Sequence, residues 1–182
     1  GDNIMGSGFS FSIEVHLDVG IFVSGESSAL MRSIEGRAPE PRPKYIRTSV
    51  AGIYDKPSNL NNVETWANVP QIISKGSEWY AGIGTEGSKG TKLISMYGSI
   101  VNTGVIEVPF GITLREIIYD IGGGIRNGKK QKAVHFGAAM GGSIPADMID
   151  TPLDFDDMSK LGAAIGAGGL FVIDEDTDMV EM

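Results

Sequence analysis

The sequence predicts an α/β protein built from two consecutive parts, and three observations lead to this prediction. An alternating segment and a short apolar run precede the first helical pattern, as expected for strands that lead into a helix. A glycine-rich polar stretch at residues 82–90 marks a candidate boundary between the two parts. Beyond this stretch, the patterns follow the order strand, strand, helix, strand.

The N-terminal part opens with two predicted strands. In residues 11–17 apolar and polar side chains alternate, which places Ile13, Val15 and Leu17 on one face of a strand. Residues 20–25, GIFVSG, are almost continuously apolar, which is typical of a strand covered on both faces. Both patterns favour α/β packing.

Residues 24–36, SGESSALMRSIEG, predict a short capped helix. Leu30 and Ile34 would pack inward, and Gly36 would close the helix. The candidate N-caps are three serines, Ser24, Ser27 and Ser28. Such a helix needs no ligand. However, Gly25 lies at the junction of a strand and a helix, where α/β proteins bind ligands because free N–H groups and the helix dipole point there.

A proline-rich arm follows this helix. Its prolines, at alternate positions, exclude helix and favour an extended chain: Pro39, Pro41 and Pro43. The arm also carries four cations, Arg37, Arg42, Lys44 and Arg47. In a chain of net charge −8, this positive charge fits either a solvated loop or a surface that binds phosphates or a dinucleotide.

A second helical pattern begins at Val63 and ends near Lys75, with Pro70 allowed at the first turn of a continuation. Asn61 and Asn62 come immediately before this helix. Asparagine at such a position commonly caps the helix. An amide that both donates and accepts hydrogen bonds also suits the edge of a flavin or pyrimidine ring, so both interpretations stay open.

The second part is predicted to contain strands at 92–97 and 104–108, a helix from Thr113, and a strand in 132–137, KAVHFG. Thr113 and Glu116 form a capping-box pattern, and the glycines at 122–124 end the helix. The apolar face of this helix consists of Leu114, Ile117, Ile118 and Ile121. This ββαβ order is how a small β-grasp domain begins. A further apolar strand is predicted at residues 170–173.

Composition excludes several classes of function. The net charge of −8 argues against a nucleic-acid partner, and no apolar run approaches the length of a membrane span. We therefore expect a cytoplasmic protein without direct membrane insertion. The absence of cysteine excludes disulfides and cysteine-ligated clusters within these residues. His16 and His135 are interpreted as packing residues, so no metal site is predicted. The aspartates at 154–157 and 174–178 are expected on solvated acidic faces.

Several motifs, taken in order, resemble one family. They are GSGF, GIFVSGESSAL, SIEGR followed by PRPK, KPSNLNNVETWANVP, GTKLISMYG, GVIEVPFGITLREII and DTPLDFDDM. They resemble the NADH-oxidising flavoprotein subunit of respiratory complex I. The sister subunits of NAD(P)-linked iron-only hydrogenases and formate dehydrogenases look closer still, because they share the GGSIP and VIDEDTDMV frames. The resemblance covers essentially the whole chain, and N-N-V-E-T and D-T-P-x-D are its most specific motifs.

This resemblance implies both a fold and a function. Residues 1–88 would form the later part of a Rossmann-like domain that binds FMN and NADH. Residues 89–182 would form a β-grasp, soluble ligand-binding domain and a connector toward an iron–sulfur domain. Members of the family bind FMN, take hydride from NAD(P)H and pass electrons to iron–sulfur clusters, without a catalytic acid or base from the protein. The implied partners are other electron-transfer subunits, including a thioredoxin-like [2Fe-2S] subunit.

The resemblance also assigns site residues by motif. Flavin contacts are implied for Phe22, Gly25, Glu26, Ser27, Asn61 and Asn62, and contacts with NAD(P)H for Glu26, Lys44 and Arg47. The family pattern Y-x-C-G-E-E-T is altered here, because Phe22 lacks the tyrosine hydroxyl and Ser27 replaces the second carboxylate. Arg47 replaces an aromatic residue that stacks on the nucleotide. Its guanidinium plane would also stack, and it would favour an extra phosphate.

Finally, the resemblance implies that these residues are a fragment. The family's N-terminal glycine-rich loop would precede residue 1, and the cysteines that ligate its [4Fe-4S] centre would follow residue 182. The isolated fragment is therefore expected to be inactive. The alternative is a degenerate, non-catalytic homologue whose β-grasp domain binds a ligand or docks a subunit. In that case the glycine-rich loops at 137–143 and 162–169 would form the contact surface.

Overall fold

The computed structural model describes residues 1–18, 20–43, 45–137 and 141–181. The chain forms two compact units, Gly1–Ala67 and Asn68–Met182. The first unit contains helix α1, Ser27–Ile34, the start of helix α2, Val63–Lys75, and three 3₁₀ turns at Ile4–Gly6, Phe22–Gly25 and Ile53–Asp55. The described residues of the first unit contain no strand.

The two strands predicted in the first unit are therefore wrong. Residues 11–17 are irregular, and Ile13, Val15 and Leu17 are 82–88% exposed. The run predicted to be a buried strand instead forms the 3₁₀ turn Phe22–Gly25, with the Phe22 side chain 88% exposed. An alternating sequence forms a strand only when a neighbouring backbone pairs along it. Among the described residues of this unit, backbone pairing of the segment is confined to Phe11, whose N–H donates to the Gly1 carbonyl at 2.9 Å.

The second unit is built around a five-stranded mixed sheet. Its strands are β1, Thr91–Gly98; β2, Gly104–Pro109; β3, Gln131–Phe136; β4, Gly142–Pro145; and β5, Gly169–Asp174. The order across the sheet is β2-β1-β5-β3-β4. Strands β1 and β5 are parallel, and the other three neighbouring pairs are antiparallel. The predicted strands at 92–97, 104–108, 132–137 and 170–173 are confirmed. Strand β4 was missed because its sequence was interpreted as a glycine-rich turn.

The helix predicted from Thr113 is confirmed, together with its capping box. The Thr113 N–H donates to Glu116 Oε2 at 2.8 Å, and the Glu116 N–H donates to Thr113 Oγ1 at 3.2 Å. Most of the helix is a π-helix, Glu116–Ile121, and it ends before Gly122. Leu114, Ile117 and Ile118 are fully buried, whereas Ile121 is partly exposed.

These helical residues complete the core of the second unit. One apolar cluster joins them to strand residues that include Ile94, Phe136, Ile144 and Leu170, each 0% exposed. Met158 of helix α4, Phe155–Lys160, belongs to the same cluster. The sheet, the helix from Thr113 and helix α4 therefore bury a single apolar core.

Two short helices and a turn segment lie between residue 63 and the sheet. Helix α2 continues through Pro70 without interruption to Lys75, and it is followed by helix α3, Ser77–Ala81. The glycine-rich stretch 82–90 folds as part of the second unit, since Gly84 pairs with Lys89 and Ser88 is buried. The predicted division near residue 88 refers to family domains, and it stays a prediction.

The aspartates of the second unit do not all lie on solvated faces. Asp154 is 6% exposed, and its carboxylate caps helix α4 by accepting from the Asp156 and Asp157 N–H groups. Asp174 is 8% exposed, and its Oδ2 atom lies 3.2 Å from Lys129 Nζ. Burial raises the pKa of Asp174, but hydrogen bonds from Lys129, Thr177 and Ser99 hold that pKa below its ordinary value. These two carboxylates are structural.

Candidate functional site

Every described residue assigned to a cofactor lies in the first unit, and Glu26 is held there by several hydrogen bonds. It occupies the N-cap of helix α1, and its Oε2 atom accepts from the Ser28 N–H at 2.9 Å and the Ala29 N–H at 3.1 Å. The Ser28 hydroxyl donates to the same oxygen. The carboxylate thus satisfies donors that the first turn of a helix leaves without partners. The prediction that a serine caps this helix is wrong, whereas Gly36 follows the helix end as predicted.

Ser28 connects the start of helix α1 to the proline-rich arm. Its hydroxyl oxygen accepts from the Arg42 N–H at 2.8 Å while its proton goes to Glu26. The Arg42 guanidinium donates to the Ala51 carbonyl at 3.1 Å and lies 3.9 Å from Asp55. These contacts fix the arm against the helix that carries Glu26. Sequence patterns did not distinguish Arg42 from the other cations of the arm, because its partners are distant in sequence.

The arm's cations differ in what they contact. Arg37 lies 3.4 Å from Glu35, whose second carboxylate oxygen accepts from the Tyr54 N–H at 2.7 Å. Arg37 and Arg42 therefore have acidic partners within the chain. Arg47 is exposed, and no described residue forms an ion pair with its guanidinium. Lys44, assigned to NAD(P)H, lies outside the described residues.

The turn that precedes Glu26 combines an exposed ring, a buried hydroxyl and an open glycine. Phe22 projects its ring from the surface, whereas Ser24 is only 4% exposed and its hydroxyl has no hydrogen-bond partner among the described residues. Apart from its chain neighbours, a Cβ atom placed on Gly25 would meet no heavy atom of a described residue within 4 Å. The backbone at Gly25 is thus approachable by a ligand from the side that a side chain would occupy. Ser27 follows directly as the first residue of helix α1.

Asn61 and Asn62 precede helix α2 and are both exposed. The Asn61 amide donates to Asn59 Oδ1 at 3.1 Å, and the Asn62 carbonyl accepts from the Trp66 N–H at 3.1 Å. Beside them lies a cleft of about 450 Å³, lined by Thr48, Ser49, Pro57, Ser58, Asn59 and Leu60. No predicted site residue lines this cleft, although Arg47 and Asn61 directly flank its lining segments. In the sequence, the signal for this cleft is limited to the hydroxyl and amide side chains of its lining segments.

Hydrogen bonds link three stretches of the first unit in series: residues 20–28, the proline-rich arm, and the residues before Asn61. Ser28 and Arg42 join residues 20–28 to the arm, and the Ser58 N–H donates to the Thr48 carbonyl at 2.9 Å, which joins the arm to the residues before Asn61. The structure thereby brings Gly25, Glu26 and Ser27 together at one helix start.

The remaining predictions concern histidines, metals and membranes. His16 is exposed, and its Nε2 atom lies 3.1 Å from the Ser33 carbonyl oxygen, so its assignment as a packing residue is wrong. His135 is half-buried beside Ser143, with Nδ1 and Oγ 3.1 Å apart. Within the described ranges, no group of three or more acidic or histidine side chains is arranged to hold a metal ion. In the same ranges, no helix has the length and apolar character needed to cross a membrane.

Known proteins match this chain over nearly all of its residues, although no protein-family model matches it. It is 47% identical over 182 residues to NADP-reducing hydrogenase subunit HndC of Solidesulfovibrio fructosivorans. It is 40% identical over the same length to a subunit of the NADH-quinone oxidoreductase of Escherichia coli. Among solved structures, the crystal structure of an NAD+-reducing [NiFe]-hydrogenase in the H2-reduced state matches 93% of the chain. This match has a TM-score of 0.82 and 30% identity, and it covers 28% of the hydrogenase chain.

The match covers all of this chain but less than half of each relative's length. The present chain is covered fully, but it spans only 37% of HndC and 41% of the Escherichia coli oxidoreductase subunit. These relatives confirm the family resemblance that the ordered motifs indicated. Along its entire length, the chain is therefore a homologue of this NADH-quinone oxidoreductase subunit and of the hydrogenase subunit HndC.

Proposed function

We propose that this chain is part of an NAD(P)H-oxidising flavoprotein subunit, an oxidoreductase component of a larger electron-transfer complex. The observation that carries the proposal is the unbroken match of all 182 residues to the NADH-quinone oxidoreductase subunit and to HndC. When bound, FMN would accept hydride from NAD(P)H and release electrons one at a time. The chain's own residues would bind and orient the two cofactors.

The turn before helix α1 fits one face of a flavin. Open space beside Gly25 allows a planar ring to approach the backbone closely, and the exposed Phe22 ring offers an apolar surface next to it. Asn61 and Asn62 carry exposed amides that can donate to and accept from the polar edge of the ring. Ser27 would contribute its hydroxyl at the helix start.

Glu26 would act through its fixed position. Because Ser28 and Ala29 hold one of its oxygens, the carboxylate has little rotamer freedom left to lose when a ligand binds. We assign Glu26, Lys44 and Arg47 to the nicotinamide nucleotide, with the two cations near its phosphates.

The second unit would serve as a docking platform in the complex. The strand order β2-β1-β5-β3-β4, with β1 and β5 parallel, supports its assignment as a β-grasp domain. We further propose the domain division near residue 88, a Rossmann-like flavin domain before it, and a cytoplasmic location. The proposed partners are other electron-transfer subunits, including a thioredoxin-like [2Fe-2S] subunit, and the [4Fe-4S] centre would lie outside these residues.

The proposal is tested on full-length protein reconstituted with FMN. Purified protein should be yellow and should reduce ferricyanide with NADH or NADPH. The variant Gly25→Leu places a side chain in the open space, so the dissociation constant for FMN should rise at least about tenfold while the thermal midpoint is retained. The control is Ser95→Leu, which introduces a leucine at an exposed position of β1.

Two results would contradict the assignment. One is a folded full-length protein that stays colourless and inactive after reconstitution with FMN. The other is a Gly25→Leu variant that binds FMN as tightly as the wild type.

A second candidate function is a non-catalytic module that binds a ligand or docks a subunit. The observation that favours it is that charged groups of the site already contact other residues of the chain. Glu26 caps a helix, and Arg37 and Arg42 have acidic partners. Its proposed contact loops include residues 162–169, while 138–140 of the other loop lie outside the described residues. Failure of FMN binding together with retained association of the partner subunits would support this candidate.

A further inference from the structure

One face of the five-stranded sheet in the second unit lies opposite the apolar core. The strand residues that alternate with the core positions point to this face, among them Leu93 and Tyr97 of β1, which are 45% and 42% exposed. Val105 of β2, in register with Ser95, is 67% exposed. Phe171 of β5, in register with Tyr97, is half-buried. We call Leu93, Tyr97, Val105 and Phe171 the open-face patch.

The two aromatic rings of the open-face patch lie close to glycine backbone. The ring centroids of Tyr97 and Phe171 are 5.2 Å apart. A Cβ atom on Gly169 would lie 3.7 Å from the Tyr97 hydroxyl oxygen, and one on Gly98 would lie 2.8 Å from two ring carbons of Phe171. Both rings therefore lie over the sheet backbone, and the exposed Tyr97 ring offers one side of its π system to a partner.

The charged groups on this face are acidic. Glu107, in register with Leu93, is exposed. Its Oε1 atom accepts from the Thr91 hydroxyl at 2.6 Å, which leaves the second carboxylate oxygen to accept from a partner. Among the described strand residues that share this face, none is a lysine or an arginine. Because the face of an aromatic ring is also electron-rich, the surface is complementary to a cation.

The open-face patch is broad, which suits a macromolecular partner. It crosses β2, β1 and β5, about 10 Å at the usual strand spacing, and extends about 13 Å along β1 from Leu93 to Tyr97. Small molecules bind in concave sites, whereas exposed apolar surfaces of this kind mark protein contacts. A second copy of this face would bring only carboxylates and ring faces together, without a cation, so charge complementarity favours a different polypeptide.

We propose that the open-face patch docks another subunit of the complex through an arginine that stacks on Tyr97, with apolar neighbours of that arginine on Leu93 and Val105. A guanidinium is planar and less strongly hydrated than an ammonium, so it can lie flat on a ring. Glu107 would accept from a further donor of the same partner segment. The inference rests on the proposed docking role of the second unit, and it names the surface and the chemistry of its partner.

Photo-crosslinking in the assembled full-length complex identifies the occupant. Tyr97 is replaced with p-benzoylphenylalanine, and we expect a cross-link to another subunit within a peptide that contains arginine. The control is the same replacement at Tyr119, which is 38% exposed on the helix that packs against the opposite face of the sheet, and it should not cross-link to that peptide. Cross-links confined to this polypeptide or to a second copy, an arginine-free peptide, or no cross-link at Tyr97 would overturn the inference.

The contribution of the ring is measured with the cross-linked subunit as the probe. Tyr97→Leu should raise the dissociation constant of FMN-loaded full-length protein for this subunit by about threefold to thirtyfold, the range of a cation–π contact, with the thermal midpoint retained. Tyr97→Phe keeps the ring and should stay within about twofold, as should the control Tyr119→Leu. Replacing the cross-linked arginine with glutamine should remove most of the effect of Tyr97→Leu. Equal affinities of wild type and Tyr97→Leu, or equal losses in Tyr97→Leu and Tyr97→Phe, would contradict stacking.

A measurement on the isolated full-length subunit keeps this inference distinct from the proposed function. Reduction of ferricyanide by NADH or NADPH needs no docked subunit, so it should be the same in Tyr97→Leu and wild type. Unchanged reduction together with a failed cross-link would remove only the docking surface. An arginine-containing cross-link in a protein that stays colourless and inactive with FMN would support the docking surface and contradict the proposed function.

Discussion

The two units of this chain are stabilised in different ways. Among the described hydrophobic residues of the first unit, only Ala29 and Met31 are buried, whereas the second unit buries a continuous core that joins its sheet to its helices. The first unit instead relies on polar contacts around helix α1, which connect Glu26, Ser28 and Arg42. Every described residue assigned to a cofactor lies in this first unit.

This difference indicates how stability and function are divided. Regions with few buried apolar contacts open locally at lower free energy than regions with a dense core. The first unit also exposes large apolar side chains, among them Phe9, Phe11, Leu17 and Phe22, and such surfaces commonly mark sites of interaction. We therefore expect the second unit to set the global stability and the first unit to respond most to ligands.

Removing core volume from the second unit is the largest test of this comparison. Phe136 is 0% exposed on β3, and Phe136→Ala should lower the free energy of unfolding by about 3–5 kcal/mol. Urea denaturation monitored by circular dichroism gives this change. The control is Val105→Ala on β2, whose side chain is 67% exposed, and its effect should stay within about 0.5 kcal/mol. Similar effects of the two variants would contradict the assignment of the core.

The buried helix cap at Asp154 supplies the next test. Asp154→Ala removes an N-cap and the acceptor for the Thr85 hydroxyl, which should cost about 1–2 kcal/mol of unfolding free energy. The hydrogen bond from Thr85 holds the pKa of Asp154 below its ordinary value, and burial only partly opposes this. The folded-state pKa is therefore lower than the unfolded-state value of about 3.9.

The sign of the pH dependence follows from that order of the two pKa values. The charged carboxylate contributes its stabilisation above the unfolded-state pKa, and the contribution is lost as pH falls through the folded-state pKa. The stability difference between wild type and Asp154→Ala should thus be constant near neutral pH and shrink below about pH 4. The control is Asp120→Ala, which removes an exposed carboxylate of the same unit. A difference that grows in acid would sink the assignment.

Sequence patterns predicted the second unit far better than the first. The β1 and β2 segments, the capping box at Thr113 and the strand at 170–173 were found because each pattern is satisfied by neighbours within the same unit. Residues 11–17 have an equally clear alternation and form no strand, because in the described part of the first unit backbone pairing stops at Phe11 and does not continue along the segment. Alternation shows that a segment can pair as a strand, but a strand forms only where another backbone lies beside it.

The candidate site was predictable only at the level of motifs. Gly25 was assigned from the predicted junction before helix α1 and Glu26 from the family motif, and both assignments stay predictions; serines, not Glu26, were expected to cap that helix. A glutamate reaches back to cap only when its longer side chain folds onto the first turn, and residue type alone does not predict this. The separation of paired Arg42 from unpaired Arg47 depends on Asp55 and Ala51, contacts that no spacing in the sequence indicates.

Two buried serines of the first unit extend the comparison, because substituting each with alanine should change the local opening free energy in opposite directions. Ser28 is 8% exposed, and its hydroxyl bridges Glu26 and the Arg42 N–H. Ser28→Ala should therefore lower the local opening free energy of helix α1 by about 1–2 kcal/mol. Hydrogen exchange of the α1 amides measures this, and the β1 amides should be unaffected. Equal acceleration of exchange in both regions would contradict local opening.

Ser24 gives the smallest effect and the opposite sign. Its side chain is 4% exposed, yet its hydroxyl has no hydrogen-bond partner among the described residues, so burial costs free energy that no bond offsets. Ser24→Ala removes that unpaired group with almost no change in volume and should raise the opening free energy of the adjacent turn by about 0.5–1 kcal/mol. The same hydrogen-exchange measurement on residues 22–30 tests it.

Destabilisation instead would mean that the Ser24 hydroxyl has a partner in solution, and bound FMN would be the first candidate, because Ser24 directly precedes Gly25. Repeating the comparison with and without FMN separates these cases: a partner supplied by the flavin makes Ser24→Ala destabilising only in the loaded protein.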